Sequence, residues 1–535
     1  MHLNRFLLPL AALLLGATTV PADEGAAERI RSHVAFLADD RLEGRDTGSV
    51  GFAIAADYVA GELAALGLRP GGVNGSWYQP VRFRRGVQAA PPTITYTVRG
   101  RRTQLAAGQD AGVRPSLAQR QRIIDAPLLF VGHGISDAQA GFDDYAGLDA
   151  RGKIVVALGG SPGGQPSDVA AHLQQVKAET AAARGAVGFI EIDTNGRYRS
   201  SAVTRAGRPV TGWLGPNGPG GHVAADIGAL IALSSEWAER VFEGASRPLA
   251  AVKAEAARGP VRGFDLPGRI RIEATTQWQE FASPQVIGLI PGSDPALSTE
   301  HVVLMGHLDH LGIDASARPG ANAVYNGALD NAAGVATLIE AARTFIRSGQ
   351  RPRRSIMIIA VTGEERGLLG ADYFAANPTV PLSSIVGLVN LDMPVLLYDF
   401  TDVIAFGGEH STMTSAVAEA ARAMGVQVSP DPMPEQTLFV RSDHYRFVQR
   451  GVPSVFLMTG HDNGGKVAWD HFLANVYHTP RDDLSQPIDW RAGAKFAELN
   501  YRIARTLADQ PQRPLWYRDS YFGRAFAPSQ PKAER

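Results

Sequence analysis

Histidine and acidic residues recur beside apolar, strand-like runs in the C-terminal half of the chain. Four short segments directly follow such runs and a fifth precedes the last predicted helix; they are Gly306-His307-Leu308-Asp309-His310, Asn326-Gly327-Ala328-Leu329-Asp330-Asn331, Gly363-Glu364-Glu365-Arg366-Gly367, Asn390-Leu391-Asp392-Met393 and Tyr477-His478-Thr479-Pro480-Arg481-Asp482-Asp483. Imidazole and carboxylate groups are ligands of divalent metal ions. The residue types therefore indicate a metal site.

Each segment taken alone permits a simpler interpretation. His307 could be a hydrogen-bonded loop histidine, and Glu364-Glu365 could be a solvated pair. Asp330 could cap the helix predicted after it, and Asp392 could occupy a turn. However, acidic and imidazole groups at successive strand ends would place costly charges side by side unless a cation neutralises them. The set as a whole therefore favours a metal site.

The donor chemistry narrows the choice of metal. Two histidines and three carboxylates, in a chain without cysteine, suit zinc first, with manganese or cobalt as alternatives. A single catalytic zinc usually takes three protein ligands and a water molecule. Five ligands suffice instead for two ions that share one carboxylate.

Alternating strands and helices must position these residues. From His301 onward the pattern predicts a mostly parallel sheet with helices on both faces, an α/β fold. The predicted strands are 302–305, 355–361, 385–391 and 454–458, and the predicted helices are 334–346, 367–376, 413–424 and 490–507. Because open α/β sheets gather ligands at the carboxyl ends of their strands, the polar segments are expected to meet there.

The N-terminal half has a different pattern. Amphipathic spacing predicts helices over 26–40 and 51–68, and alternation predicts strands over 77–83 and 93–98. From about residue 126, short β-rich runs separated by glycine-rich loops indicate a separate β/α unit that ends near residue 260. Two further strands are predicted after it, over 269–275 and 286–290.

The first residues have the order of a secretory signal. Met1–Arg5 is followed by an apolar run, Phe6–Val20, and then by Pro21-Ala22. A membrane anchor is the alternative, but the run is shorter than the ~20 residues that a spanning helix needs. We expect a secreted or periplasmic protein that leaves the membrane once residues 1–22 are removed. A net charge of -1 gives no support for a nucleic-acid partner.

These motifs resemble the co-catalytic zinc aminopeptidases of metallopeptidase family 28, relatives of glutamate carboxypeptidase and of the transferrin receptor. The resemblance covers most of the chain and includes Leu42-Glu43-Gly44-Arg45. It implies a mixed, mostly parallel sheet between helices, with an inserted β-rich protease-associated domain that is indicated by Val131-Gly132-His133-Gly134-Ile135 and Gly152-Lys153-Ile154-Val155. The predicted organisation is a signal peptide (1–22), the N-terminal part of the peptidase domain (23–118), the inserted domain (119–265), the catalytic domain (266–512) and a C-terminal tail (513–535), which its prolines and arginines predict to lie on the surface.

The resemblance also implies the metal ligands. One ion would be bound by His307, Asp330 and Asp392. The second would share Asp330 and would also be bound by Glu365 and His478. At Leu329 the chain departs from the many members that have a second Asp, a position that is not a ligand.

The resemblance implies supporting and catalytic roles as well. Glu364 would be the general base, and Asp309 would hold the His307 imidazole. Tyr477 would donate to the tetrahedral oxyanion, or it could be an aromatic residue packed near the site. The segment Ser442-Asp443-His444 is expected to support the ligands from behind.

The implied activity is that of a metallo-aminopeptidase that acts on peptides with a metal-activated water and a Glu base. Three alternatives use the same scaffold. A carboxypeptidase would need arginines aimed at a substrate carboxylate, a glutaminyl cyclase uses one zinc, and a receptor-like binding protein would have lost catalysis. The complete ligand set counts against the last two. The sequence does not indicate the oligomeric state.

Overall fold

The computed structural model describes residues 24–193, 202–216, 218–220 and 227–535. The predicted signal peptide, residues 1–22, lies outside this part of the chain. Within it, every helix is too short or too polar to cross a bilayer.

The helices of the described chain alternate with strands in its C-terminal half, as the sequence predicts. They are α1 (Glu24–Leu37), α2 (Val50–Ala65), α3 (Ser167–Gln175), α4 (Lys177–Ala183), α5 (Ala202–Ala206), α6 (Ser235–Arg240), α7 (Leu249–Ala256), α8 (Gly334–Arg347), α9 (Leu369–Ala376), α10 (Met413–Ala423), α11 (His444–Val448), α12 (Gly465–His471), α13 (Trp490–Asp509) and α14 (Tyr521–Phe526).

The strands that have three or more residues form two sheets. They are β1 (Tyr78–Gln88), β2 (Thr93–Val98), β3 (Arg101–Leu105), β4 (Ala111–Val113), β5 (Gln121–Phe130), β6 (Ile154–Leu158), β7 (Gly188–Ile192), β8 (Val210–Gly215), β9 (Gly218–Gly220), β10 (Ala229–Leu233), β11 (Phe264–Ile290), β12 (His301–His307), β13 (Ser355–Val361), β14 (Ile385–Leu391), β15 (Asp402–Phe406), β16 (Gln427–Ser429) and β17 (Ser454–Thr459).

The first sheet has a parallel centre in the order β13-β12-β14-β17. Antiparallel strands flank it, β11 beside β13 and β15 beside β17. Val302 and Leu304 of β12 face one core together with α8 and α13, whereas Val303 and Met305 face the core on the other side with α9. Both faces are covered, which explains why these strands read as continuous apolar runs. The predicted α/β fold is confirmed.

The long strand β11 connects the two sheets. The sequence predicts two separate strands, 269–275 and 286–290, but the structure has one strand of 27 residues. The polar residues between them do not form a loop, because Thr276–Val286 pair with β1 along their whole length. Upstream, Gly268–Glu273 pair with β2 of the second sheet. One continuous strand therefore joins the two sheets.

The second sheet contains β5, β6, β7 and β10 in parallel order. It also includes β2, β3 and β4, so it begins at Thr93, before the predicted boundary at residue 119. The assignment of this unit as a protease-associated domain stays a prediction.

The C-terminal segment is not the surface tail that the sequence analysis predicts for residues 513–535. Trp516 is 1% exposed and Phe522 is fully buried. The Trp516 indole donates to the carbonyl of Gly451 at 3.0 Å. The prediction was wrong because it relied on the prolines and arginines of this segment, whereas its aromatic side chains provide enough apolar area to pack on the core.

We expect Phe522→Ala to lower the free energy of unfolding by about 3–5 kcal/mol, because it leaves a cavity in the core. The ring centre lies 5.0 Å from that of Phe439 and 6.1 Å from that of Tyr445. Urea unfolding followed by tryptophan fluorescence measures the change. Ser529→Ala, at an exposed position of the same segment, is the control and should change stability by less than about 0.5 kcal/mol. Equal stability of both variants would show that the segment is not part of the core.

Candidate metal centre

The carboxyl edge of the parallel strands carries the predicted site residues. His307 is the last residue of β12, Glu364 and Glu365 follow β13, and Asp392 follows β14. Asp330 lies in the helical turn Ala328–Ala333 that leads into α8. His478 follows a second turn that ends at Val476. The sheet topology thus brings together residues that are up to 171 positions apart, the separation of His307 and His478.

The first group of ligand atoms surrounds the ring of His307. Its Nε2 lies 2.9 Å from Asp392 Oδ1 and 3.2 Å from Asp330 Oδ1. All three side chains are buried. They form one of the His and carboxylate clusters of the described chain that could hold a metal ion.

The second group uses the other oxygen of Asp330. His478 Nε2 lies 3.2 Å from Asp330 Oδ2 and 3.3 Å from Glu365 Oε2. Asp330 therefore lies between the two histidines and offers one oxygen to each. All five predicted ligands belong to this continuous cluster.

The separations of these atoms fit ligands that share an ion. Donors bound tetrahedrally to zinc at about 2.0–2.1 Å lie about 3.3 Å from one another. The measured separations of 2.9, 3.2, 3.2 and 3.3 Å are close to that value. Nitrogen and oxygen donors without thiolate also suit zinc, manganese or cobalt.

The ionisation of the cluster is set by burial and by mutual charge. Burial opposes ionisation of Asp330, yet hydrogen bonds from His307 and His478 hold its pKa well below the usual value. Burial also lowers the pKa of His478, but Asp330 and Glu365 outweigh this and raise it to about 10. Burial raises the pKa of Glu364 well above its usual value; the charge of His307 opposes this shift, and Glu365 and Asp392 add to it. Clustered carboxylates of this kind become more stable beside added positive charge.

The structure places Asp309 differently from the prediction. The carbonyl oxygen of its own backbone, and not its carboxylate, is the partner of His307 Nδ1, at 3.0 Å. The carboxylate instead accepts the backbone N–H groups of Glu364, at 3.1 Å, and of Glu365, at 3.3 Å. It also accepts the Thr47 hydroxyl at 3.0 Å. Because its carboxylate accepts from two successive backbone N–H groups, Asp309 positions the Glu364-Glu365 turn.

Within the predicted supporting segment Ser442-Asp443-His444, only Ser442 contacts a ligand. Its hydroxyl donates to Asp392 Oδ2 and accepts from the side-chain amide of Asn390. Asp443 is buried behind the site without a hydrogen-bond partner, and burial raises its pKa well above the usual value. His444 packs against Phe456.

Two supporting residues that the sequence analysis did not assign hold the backbone around Asp330. The buried guanidinium of Arg45 donates to the carbonyls of Leu308 at 2.9 Å and Asn326 at 2.7 Å. The carboxylate of Asp482 accepts the N–H groups of Leu329 at 2.8 Å and Asp330 at 2.9 Å. Arg45 and Asp482 both lie in segments that the sequence analysis quotes. The residues that they contact here are 152 to 281 positions away along the chain.

A third unassigned residue, His310, touches the ligand set directly. Its buried ring places Nδ1 at 2.7 Å from Glu365 Oε1. That oxygen is opposite Oε2, which faces His478. Because its ring nitrogen lies within hydrogen-bond distance of the oxygen that does not face His478, His310 orients the Glu365 carboxylate. His310 stands three positions after the predicted ligand His307, so the sequence did contain a signal for it. The sequence analysis gave His310 no role because it had already assigned five ligands.

Tyr477 packs beside the site, which is one of the two roles considered for it. Its ring stacks on that of His478 with the ring centres 3.8 Å apart. Burial raises the pKa of its phenol well above the usual value, and the charges of Asp330 and Glu365 raise it further. The phenol therefore stays protonated and able to donate.

Two cavities meet at the cluster. The smaller is bounded by His307 and Asp392 and by the apolar side chains of Met393, Leu438 and Phe456. The larger has a volume of about 320 Å³ and extends toward α3 and α4 of the inserted unit. Glu364, Arg441, Tyr477 and His478 line both.

Comparison with known proteins identifies a family for part of the chain. Residues 285–504 match Peptidase family M28, which confirms the resemblance stated above. A protein of Leptosphaeria maculans named as a probable zinc metalloprotease is 26% identical over 295 residues, 47% of this chain and 65% of that protein. A probable glutamate carboxypeptidase of Arabidopsis thaliana is 25% identical over 442 residues, 73% of this chain and 55% of that protein. The chain thus spans less than two thirds of the length of either relative.

The fold has a solved counterpart. An aminopeptidase from Aneurinibacillus sp. strain AM-1 superposes with a TM-score of 0.50 and 20% identity, covering 91% of this chain and 95% of that one. At this level of identity the likeness concerns the fold alone.

We expect Asp330→Ala to lose most bound zinc, because this carboxylate faces both histidines. Mass spectrometry of dialysed protein counts the ions per chain. Asp399→Ala, which removes an exposed carboxylate paired with Lys495, should retain the wild-type content. Two retained ions in Asp330→Ala would contradict the shared-ligand arrangement.

We expect His310→Ala to weaken one of the two ions selectively, by about 10- to 100-fold in affinity, since it releases only Glu365. Titration with a competing chelator separates the two affinities. A matched loss at both ions would show that His310 supports the whole cluster instead.

Proposed function

The segment from residue 285 to residue 504 belongs to peptidase family M28, and from this premise we propose that the protein is a two-zinc aminopeptidase that releases N-terminal residues from peptides. The observation that carries the proposal is the position of Asp330 between His307 and His478, with Glu364 beside the cluster and outside its ligand contacts.

Each residue then has a distinct task. His307, Asp330 and Asp392 would hold one ion, and Asp330, Glu365 and His478 would hold the other; manganese or cobalt are alternatives to zinc. When bound, the ions would supply the positive charge that lowers the pKa of a water molecule and polarises the scissile carbonyl.

Glu364 is suited to the role of general base. It lines both cavities and is held at its backbone N–H by Asp309. It accepts a proton from the attacking water and returns it to the leaving amine. The protonated phenol of Tyr477, which also lines both cavities, donates to the oxyanion of the transition state.

A carboxypeptidase is the second candidate. The Arabidopsis thaliana relative is named as a probable glutamate carboxypeptidase, and Arg441 lines both cavities. The two activities differ in the substrate terminus that they require, so substrates with one blocked terminus separate them.

The segment of residues 1–22 supports an exported location, secreted or periplasmic. Peptides in that compartment would be the substrates.

We expect an aminoacyl-anilide to be hydrolysed and its N-acetylated form to resist hydrolysis, because an aminopeptidase requires the free α-amine. A zinc chelator should abolish the activity and added zinc should restore it, as measured by release of the aniline. Hydrolysis of N-acetylated peptides from the C-terminus would instead establish the carboxypeptidase.

We expect Glu364→Gln to lower kcat by about 10²- to 10⁴-fold, the typical contribution of a positioned base, while both ions remain bound. Steady-state kinetics and metal analysis on the same preparation test both parts. Glu419→Gln, at an exposed position of α10, should retain wild-type kcat. An unchanged rate in Glu364→Gln would remove this residue from the base role.

A further inference from the structure

We propose that Arg441 and Arg446 bind the C-terminal carboxylate of short peptides, so that the enzyme prefers di- and tripeptides with a free carboxyl terminus. This inference rests on the proposed function and names its substrate class.

The larger cavity leads from the reaction centre to the two arginines. Glu364, Tyr477 and His478 lie where the two cavities meet, and Arg441 lines both. Arg446 lines the larger cavity only. A peptide whose scissile bond lies beside Glu364 therefore extends past Arg441 toward Arg446.

Both guanidinium groups are free of carboxylate partners within the described residues. Arg441 Nη1 donates to the carbonyl of Gln436 at 3.2 Å. Arg446 donates to Gln449 Oε1 at 3.0 Å and to the carbonyl of Gly367 at 3.2 Å. Its Nε is buried and has no hydrogen-bond partner.

Several arginines elsewhere in the C-terminal half are ion-paired, for example Arg353, 2.7 Å from Asp294, and Arg354, 2.6 Å from Glu300. Arg441 and Arg446 have no such ion pair within the described residues, so their guanidinium groups can pair with an anionic part of the substrate. A carboxylate matches the planar donor geometry of guanidinium.

The inserted unit borders the cavity. Gln175, Val176 and Glu179 form that wall. The cavity volume of about 320 Å³ is near the lower limit of ligand pockets, roughly 300–1,000 Å³. It leaves space for one or two residues beyond the scissile bond.

Three contacts fix this wall to the catalytic unit. His410 Nε2 lies 2.7 Å from Asp168 Oδ2, and Tyr445 OH lies 2.7 Å from His172 Nδ1. Gln175 Nε2 donates to the carbonyl of Val440 at 3.3 Å. Because α3 is held at both of its ends, this wall is fixed beside the two arginines.

Arg441 also borders the smaller cavity, but Arg446 does not. The smaller cavity has a volume of only about 30 Å³, and its wall beside His307 and Asp392 is formed by Met393, Leu438 and Phe456. The longer part of a peptide therefore lies in the larger cavity. The two cavities together therefore orient a dipeptide with its carboxylate toward Arg441 and Arg446.

The test compares Leu-Ala with its C-terminal amide and with Leu-Ala-Ala-Ala-Ala. For the wild-type enzyme we expect kcat/KM to be about 10- to 100-fold higher for the free acid than for the amide, mainly through KM, as for a charged hydrogen bond. The pentapeptide should also be a poorer substrate than the dipeptide.

Substitutions identify the residues. Arg441→Gln should bring the acid-to-amide ratio close to one, and Arg446→Gln should lower it. Arg422→Gln, at an exposed position of α10 outside both cavities, should leave the ratio unchanged. Arg441 is exposed, so its variant should fold even if Arg446→Gln does not.

The outcomes separate this inference from the proposed function. Cleavage of the aminoacyl-anilide together with equal rates on acid and amide would overturn only the carboxylate site. An equal loss on both substrates in Arg441→Gln would also overturn it, because that pattern is structural. Absence of hydrolysis of the anilide and of every peptide would overturn the proposed function itself.

Discussion

The position of the Asp330 carboxylate between His307 and His478 is the constraint on which the rest of the site depends. Its two oxygens face different histidines at 3.2 Å each, so a shift of this side chain would break both groups. A buried carboxylate in such a place is costly unless it is paired and hydrogen-bonded. The surrounding residues supply both the hydrogen bonds and the paired groups.

The backbone around Asp330 is held from three directions. Asp482 accepts two of its N–H groups, and Arg45 holds the preceding carbonyls. Asn331 donates its side-chain amide to the carbonyl of Leu391 at 3.0 Å, which ties this turn to the strand that precedes Asp392. Gly327, at a positive φ of 60°, lies against His310 and the Asp330 carbonyl, where a Cβ would have no space. The ligands are thus positioned by contacts with the N-terminal helices, the sheet and the last loop together.

Access to the centre is determined by a different part of the chain. The strand β11 carries the inserted unit on the catalytic sheet, and α3 brings Gln175 to the edge of the larger cavity. In the proposed function, the chemistry and the limits on the substrate come from separate units. They meet at Arg441, which borders both cavities.

The sequence by itself determined the catalytic sheet and the residue types of the site. The strands at 355–361 and 385–391 were predicted to the residue, because strands buried on both faces carry uninterrupted apolar runs that end where polar residues begin. The five predicted ligands followed from their positions beside such runs and from the family resemblance, which also assigned their roles. The structure brings these five side chains together.

Only the tertiary structure decided the remaining features. The roles of Arg45, His310 and Asp482 depend on partners far along the chain, and no local pattern encodes a contact across such distances. The polar stretch of β11 looked like a loop because its pairing with β1 is invisible in its own residues. The C-terminal segment looked like a tail because the prediction relied on its prolines and arginines, whereas its aromatic side chains pack on the core. Local order is set by the spacing of residues along the chain, whereas these contacts are set by how separate elements pack.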